Sequence, residues 1–172
     1  MKSVLVFLFF GILSLNSVFA QEYLQQRPFF KSAEEEIDSL IALSEQYLGL
    51  KYRYGSNEPV GFDCSGFTGY IFSQFGYKLE RSSSDQYKDG VSVSREEMKR
   101  GDLVFFQEKN RDGTYRINHV GIIVSVDTTN QTFRFIHSCY RGVLIDDSTM
   151  EYYLKRFYGI RRIVGEVKNE RK

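Results

Sequence analysis

The chain contains few cysteines, and its positive and negative charges nearly cancel. Only two cysteines and two histidines occur among its 172 residues. Two cysteines are too few for a disulfide-stapled scaffold, although one bridge between Cys64 and Cys139 stays formally possible. The chain has 23 basic and 22 acidic residues. This balance argues against nucleic acid or an anionic membrane surface as the main partner.

A long hydrophobic run is also missing. The apolar stretch at residues 4–15 is shorter than the roughly 20 residues that a membrane-spanning helix needs. Lys2 precedes it, and Val-Phe-Ala at residues 18–20 offers small residues at the offsets of a cleavage site. We therefore predict a cleaved signal peptide at residues 1–20 rather than a signal anchor. Because no cysteine precedes Cys64, we expect an exported periplasmic or extracellular protein that is not a lipoprotein.

The remaining length, about 150 residues, fits a single domain with its own core. We assign an N-terminal arm to residues 21–35, the domain to residues 36–165 and a charged tail to residues 166–172. No internal repeat or low-complexity tract interrupts it. We expect a monomer without an integral membrane segment in the mature chain.

Helical patterns come first along the chain and strand patterns follow, which predicts an α+β fold with helices packed on an antiparallel sheet. Ser32 and Glu35 form a capping box that begins the first helix, and Gly49 can end it. The predicted segments are helices at 32–49, 64–75 and 82–87, turns at 94–97 and 152–156, strands at 103–106, 119–126, 132–137, 143–145 and 160–164, and loops at 52–61 and 110–115.

The most informative residue is Cys64, which begins a predicted helix. A thiol attacks a carbonyl only as the thiolate, and a helix N-terminus beside an imidazolium can lower its pKa from about 8.5 to about 3.5–7.5. Asp63 can cap this helix. His119 at a strand start can supply the imidazolium, which predicts a thiolate–imidazolium pair. His119 would later protonate the leaving amine.

His137 is the other histidine of the chain. In neutral form it can accept a hydrogen bond from the far ring nitrogen of His119 and hold that ring in one orientation. The alternation Phe133, Phe135, His137 places it on one strand face with two aromatic rings. We expect the backbone N–H of Cys64 and a tyrosine hydroxyl to stabilise the substrate oxyanion, where losing one donor costs about 2.7–4 kcal/mol.

Five short motifs in order resemble the NlpC-type (NlpC/p60) cell-wall cysteine peptidases, especially the murein endopeptidases. They are Asp-Cys-Ser-Gly-Phe at 63–67, Arg-Ser at 81–82, Gly-Asp-Leu-Val-Phe-Phe at 101–106, His-Val-Gly-Ile at 119–122 and Phe-Ile-His at 135–137. The resemblance implies a circularly rearranged papain-like fold that hydrolyses peptidoglycan stem peptides. It also implies that Cys64 is the nucleophile, His119 the base and His137 the orienting residue.

The resemblance extends to the residues around the nucleophile. A tyrosine twelve positions before the cysteine belongs to the family's active site, and here it is Tyr52. In relatives that grip a free stem-peptide N-terminus, the residues matching Asp63 and Ser65 contact the amine. Arg81 and Ser82 match a segment that lines the substrate groove, and an arginine there suits a carboxylate. The alternatives are a helix cap for Asp63 and a surface salt bridge for Arg81.

The expected function is hydrolysis of a D-Glu/diamino acid or D-Ala/diamino acid bond in stem peptides, muropeptides or their cross-links. No cofactor or metal is expected. Three alternatives stay open: a papain-like acyl transferase, a non-catalytic wall-binding module, and a zinc site made of Cys64, His119, His137 and Cys139.

Overall fold

The computed structural model describes residue 30 and residues 32–165. The predicted signal peptide, most of the arm and the charged tail lie outside the described residues. The first helix begins at Ala33, so the predicted boundary between arm and domain at residue 36 falls inside its first turn. None of the described helices is long and apolar enough to span a membrane.

Within residues 32–165 there are four helices and eight strands, with the helices mostly early and the strands mostly late, as the sequence patterns predict. The helices are α1 (Ala33–Glu45), α2 (Cys64–Gln74), α3 (Ser83–Gln86) and α4 (Glu151–Leu154). The strands are β1 (Asn57–Glu58), β2 (Gly61–Phe62), β3 (Val91–Val93), β4 (Leu103–Lys109), β5 (Tyr115–Asp127), β6 (Thr132–Cys139), β7 (Gly142–Asp147) and β8 (Phe157–Arg162).

Six strands form one antiparallel sheet in the order β3-β8-β4-β5-β6-β7, and β1 pairs separately with β2. The central strands β4, β5 and β6 are consecutive in the chain and joined by hairpins, which is the simplest antiparallel connection. The predicted α+β class with an antiparallel sheet is confirmed.

Apolar side chains cover both faces of the sheet. On one face, α1 and α2 bury residues such as Leu40, Phe67 and Ile71 against Leu103 and Ile136. A second cluster comprises Met98, Val104, Phe106, Ile123, Phe133, Phe135, Tyr153 and Ile160. Because β4 alternates between the two clusters at Leu103, Val104, Phe105 and Phe106, the sheet is a buried layer whose strands cannot slip without exposing apolar surface.

Several element predictions differ from the structure in detail. The first helix ends at Glu45 and continues as turns to Gly49. The segment at 94–97 forms a turn, as predicted, in which the Ser94 hydroxyl donates to the Glu97 carboxylate. Residues 110–114 are the turn of the β4–β5 hairpin rather than an open loop. The short strands β1, β2 and β3 carry too few residues to show a periodic pattern and were not predicted.

Hydrogen bonds that connect the start of α2 to the sheet and to the preceding loop set the position of Cys64. The Ser138 hydroxyl on β6 donates to the Phe62 carbonyl over 2.8 Å, and both residues are fully buried. The Asp63 N–H donates to the Ser56 carbonyl over 3.0 Å. These bonds anchor the residues on the N-terminal side of Cys64 to the sheet and to the preceding loop.

Candidate active site

Cys64 is the first residue of α2, as the sequence predicts. Asp63 caps the helix, because its Oδ1 accepts from the Gly66 N–H over 2.6 Å. Burial raises the pKa of the thiol overall, and the backbone N–H groups of Val120, Ser65 and Cys64 act in the opposite direction. The sulfur therefore lies where helix N–H groups can favour negative charge.

A β-bulge next to His119 re-aims the strand that carries this residue. Phe106 pairs with His119 and Gln107 pairs with Ile117, so Asn118 is the extra residue of β5. Bulges of this kind often adjust side-chain direction at functional sites. The Cys64 sulfur lies 3.9 Å from the Asn118 carbonyl oxygen. Cys64 and His119 line one cavity of about 150 Å³.

The two histidines of the chain touch each other. Nε2 of His119 lies 2.8 Å from Nδ1 of His137, and the rings meet edge-on. Gly121 makes this approach possible, since a Cβ there would stand 3.1 Å from the His137 Cβ and 2.7 Å from the Phe135 ring. The structure thus brings together the pair that the sequence predicts.

Behind His137 lies a carboxylate that sequence reasoning missed. Nε2 of His137 is 3.1 Å from Oδ2 of Asp146 on β7, and the Tyr153 hydroxyl donates to the same oxygen over 2.7 Å. Arg141 forms an ion pair with that carboxylate. The only sequence signal was an aspartate just after the apolar run of β7, and nothing local relates it to a residue on β6.

The four predicted substrate-binding residues lie together on an open groove of about 630 Å³ that reaches Cys64. Arg81 grips Asp63 with both terminal nitrogens, over 2.6 and 3.1 Å, and also reaches the Ser65 hydroxyl over 3.1 Å. Ser82 caps α3, where its hydroxyl accepts from the Asp85 N–H. In this structure, therefore, Asp63 is both a helix cap and the partner of Arg81.

A buried glutamine holds the groove segment against α2. Nε2 of Gln86 donates to the carbonyls of Ser65 and Glu80, each over 2.9 Å, and the Thr68 hydroxyl donates to its Oε1 over 2.7 Å. Gln86 is fully buried, so these bonds are shielded from water and the residue before Arg81 is fixed. Sequence reasoning missed this residue because glutamine is common on surfaces.

Tyr52 lines both the groove and the smaller cavity beside Cys64. Its ring packs against Tyr140 at 5.1 Å between centroids. Burial, and then the nearby Cys64 and Asp63, raise the pKa of Tyr52 to about 12. The phenol is therefore protonated at neutral pH and can donate a hydrogen bond.

Burial acts against charge on both members of the predicted thiolate–imidazolium pair. Burial, followed by the charge of Asp63, raises the pKa of Cys64 to about 11. Burial, followed by the proximity of His137, lowers the pKa of His119 to about 3. Both directions favour the neutral thiol and the neutral imidazole, because removal of either group from water penalises its charged form.

Cys139 also lines the cavity shared by Cys64 and His119, and both cysteines are free thiols. The strand β6 continues to this residue. Within residues 30 and 32–165, no group of three or more His, Cys, Asp or Glu side chains is arranged to hold a metal ion.

The sequence of the chain is similar to a known protein family and to individual characterised proteins. Residues 49–162 match the model of the NlpC/P60 family. The chain is 31% identical over 160 residues to the gamma-D-glutamyl-L-lysine dipeptidyl-peptidase of Bacillus subtilis, with coverage of 91% of this chain and 51% of that protein. It is 35% identical over 141 residues to the murein DD-endopeptidase MepS/murein LD-carboxypeptidase of Escherichia coli, with coverage of 79% and 69%.

Among solved structures, an NlpC/P60 family protein from Bacillus cereus matches with a TM-score of 0.66 at 31% identity. The match covers 80% of this chain and 44% of that one. The chain thus spans about half the length of the B. subtilis relative and of this solved structure.

Proposed function

Since the chain belongs to the NlpC/P60 family, we propose that it is an exported cysteine peptidase that hydrolyses amide bonds in peptidoglycan stem peptides or their cross-links. The observation that carries the proposal is that a helix N-terminus, a histidine and an open groove all meet at the sulfur of Cys64. Cys64 begins a helix, shares a cavity with His119 and lies at the foot of an open groove. A nucleophile, a base and a place for an extended peptide are thereby combined.

We assign Cys64 as the nucleophile and His119 as the general base. Because both groups favour their neutral forms in the free protein, the proton passes from sulfur to imidazole as the sulfur attacks, not beforehand. The carbonyl carbon then forms a thioester with Cys64, and His119 returns the proton to the leaving amine. A water molecule activated by His119 hydrolyses the thioester and regenerates the thiol.

His137 and Tyr52 support these steps. His137 accepts the hydrogen bond from Nε2 of His119 and thereby leaves Nδ1 of that ring as the base. We assign stabilisation of the oxyanion to the protonated Tyr52 phenol and the Cys64 backbone N–H, because such donors lower the barrier when they are aimed at the developing charge.

The groove residues support the substrate class. The groove beside the nucleophile carries the hydroxyls of Ser65 and Ser82 and the ion pair between Asp63 and Arg81. An ion pair with an exposed side, 48% for Arg81, can meet the ammonium and carboxylate groups that a stem peptide carries. We propose a scissile bond whose leaving amine belongs to a diamino acid, attached to D-Glu or D-Ala.

The test compares the intact protein with Cys64→Ala on purified sacculi and on defined muropeptides. We expect soluble fragments from the intact protein and a loss of at least about 10³-fold in Cys64→Ala, because removing a covalent nucleophile eliminates the acyl-enzyme route. Fragment masses assign the bond. They also separate hydrolysis from acyl transfer, since a transferase product carries an amine acceptor in place of water.

Cys139→Ser serves as the matched control, because it removes the other thiol of the same cavity. Equal fragment release by the intact protein and Cys64→Ala would contradict the proposal.

A further inference from the structure

A buried carboxylate lies directly behind the histidine pair. Asp146 is 8% exposed and His137 is completely buried. In the β6–β7 ladder, Asp146 pairs with Phe135 and His137 pairs with Leu144. Asp146 therefore shares a sheet face with His137 as its diagonal neighbour, within reach of a side-chain hydrogen bond.

Three donors converge on one oxygen of this carboxylate. Oδ2 of Asp146 accepts from the Tyr153 hydroxyl over 2.7 Å and from Arg141, and it lies 3.1 Å from Nε2 of His137. Burial alone would raise the pKa of Asp146, but the Tyr153 hydrogen bond and the neighbouring His137 and Arg141 bring it below its ordinary value. The carboxylate is thus ionised at neutral pH and acts only as an acceptor.

An acceptor at this position determines which nitrogen of His137 carries hydrogen. Nε2 must be protonated in order to bond the carboxylate, so in the neutral ring Nδ1 holds a lone pair. That lone pair can accept only if Nε2 of His119, 2.8 Å away, is itself protonated. Nδ1 is then the basic nitrogen of His119.

We propose that Asp146 is a positioning residue that sets the tautomers of both histidines and so gives His119 its basic nitrogen toward the thiol. The proposal rests on the function proposed above. The same carboxylate stabilises the positive charge that His119 acquires when it takes the proton. Tyr153 and Arg141 hold the carboxylate in place through the same oxygen that faces His137.

The direct test is an NMR experiment on protein labelled with ¹⁵N-histidine. With only two histidines in the chain, each ring nitrogen can be assigned. The intact protein should show His137 protonated at Nε2. The Tyr153 hydroxyl also lies 3.3 Å from Nε2 of His137, so the decisive variant combines Asp146→Ala with Tyr153→Phe. In it this preference should be lost, and the hydrogen should distribute over both nitrogens. A spectrum in which His137 keeps its hydrogen on Nε2 in this double variant would overturn the proposal, whether or not the protein is active.

Kinetics separate positioning from binding. In Asp146→Ala we expect kcat to fall by about 10–100-fold, the usual effect of removing a group that orients a functional histidine, with KM nearly unchanged. In Asp146→Asn the three donors that face Oδ2 should orient the amide so that its carbonyl oxygen takes that place and still accepts. The variant should therefore retain the His137 tautomer and lose only the part of kcat that depends on the negative charge.

The matched control is Asp147→Asn. Asp147 is the next residue on β7, but its carboxylate accepts from the Thr149 N–H and hydroxyl. Its kcat should equal that of the intact protein. Thermal unfolding of every variant identifies any that fails to fold. Tyr153→Phe keeps the ring and removes one hydrogen bond to Asp146, so it should lower kcat by less than Asp146→Ala does.

The outcomes distinguish the two proposals. If the intact protein releases no muropeptides, the proposed function fails while the tautomer spectrum still tests Asp146. If the intact protein is active and Asp146→Ala keeps kcat within about twofold, the positioning role fails and the peptidase function stands.

Discussion

Asp63 performs two structural tasks at once. It caps the helix that Cys64 begins, and it binds Arg81 through both carboxylate oxygens. After burial, which is the larger cause, its negative charge also raises the pKa of the Cys64 thiol. Because the guanidinium of Arg81 lies against the same carboxylate, it counteracts that charge close to the sulfur. Asp63 therefore fixes the start of the helix at Cys64, while Arg81 offsets the effect of the Asp63 charge on the thiol.

Cys139 provides a prediction at the residue scale. It lines the cavity of Cys64, yet it has no part in the proposed proton transfers. We expect Cys139→Ser to keep turnover close to that of the intact protein, since serine preserves size and a polar hydrogen. Steady-state fragment release from muropeptides measures this. A loss as large as that of Cys64→Ala would show that the sulfur of Cys139 takes part in the reaction.

At the scale of elements, the start of α2 depends on close contact with the preceding loop. A Cβ at Gly66 would stand 2.1 Å from the Ser56 carbonyl oxygen and 2.9 Å from Oδ1 of Asp63. No side chain fits there unless the backbone shifts. The glycine two residues after the cysteine is therefore required by packing against the backbone, which explains its place in the Asp-Cys-Ser-Gly motif.

We predict that Gly66→Ala destabilises the protein by about 1–3 kcal/mol, the usual cost of overpacking, and also lowers activity because the Cys64 helix start must move. Urea unfolding and muropeptide release measure the two effects. Gly69→Ala on the same helix is the control, since its Cβ would meet only the Gln86 amide at 3.5 Å and alanine favours a helix by about 0.5–1 kcal/mol. Equal stability of the two variants would contradict this account.

For the whole molecule, burial of the two histidines links stability to pH. Burial, in each case the largest cause, lowers the pKa of His119 to about 3 and that of His137 to about 4, from 6.5. Between these values and 6.5 the unfolded chain binds protons that the folded chain does not. Stability therefore falls as the pH decreases through this window.

We predict a decrease in the urea midpoint from pH 7 to pH 4, with most of the change below pH 6.5. His119→Gln removes one of the two titrating rings and should flatten the slope. Asp146, whose pKa is lowered from 3.8, contributes stability that is lost only at still lower pH. A midpoint independent of pH between 6.5 and 4 would contradict the burial of neutral histidines.

Local sequence was sufficient wherever the signal spans a few neighbouring residues. The Asp63 cap, the Ser32 cap and the alternation of Phe133, Phe135 and His137 depend on spacing along one element, and the structure has all three. The scarcity of histidine narrowed the partners of Cys64 to two. The order of short motifs indicated the family, and the order of helical and strand patterns indicated the α+β fold; both are confirmed.

Tertiary structure alone decided what lies between elements. Asp146 meets His137 only through the register of β6 with β7, and Gln86 meets Ser65 only because α3 packs on α2. The shifts in the pKa values of Cys64 and His119 likewise follow mainly from burial, which depends on atoms from distant segments. Spacing along a chain encodes helix caps and strand faces, whereas register and desolvation arise only when separate elements pack together.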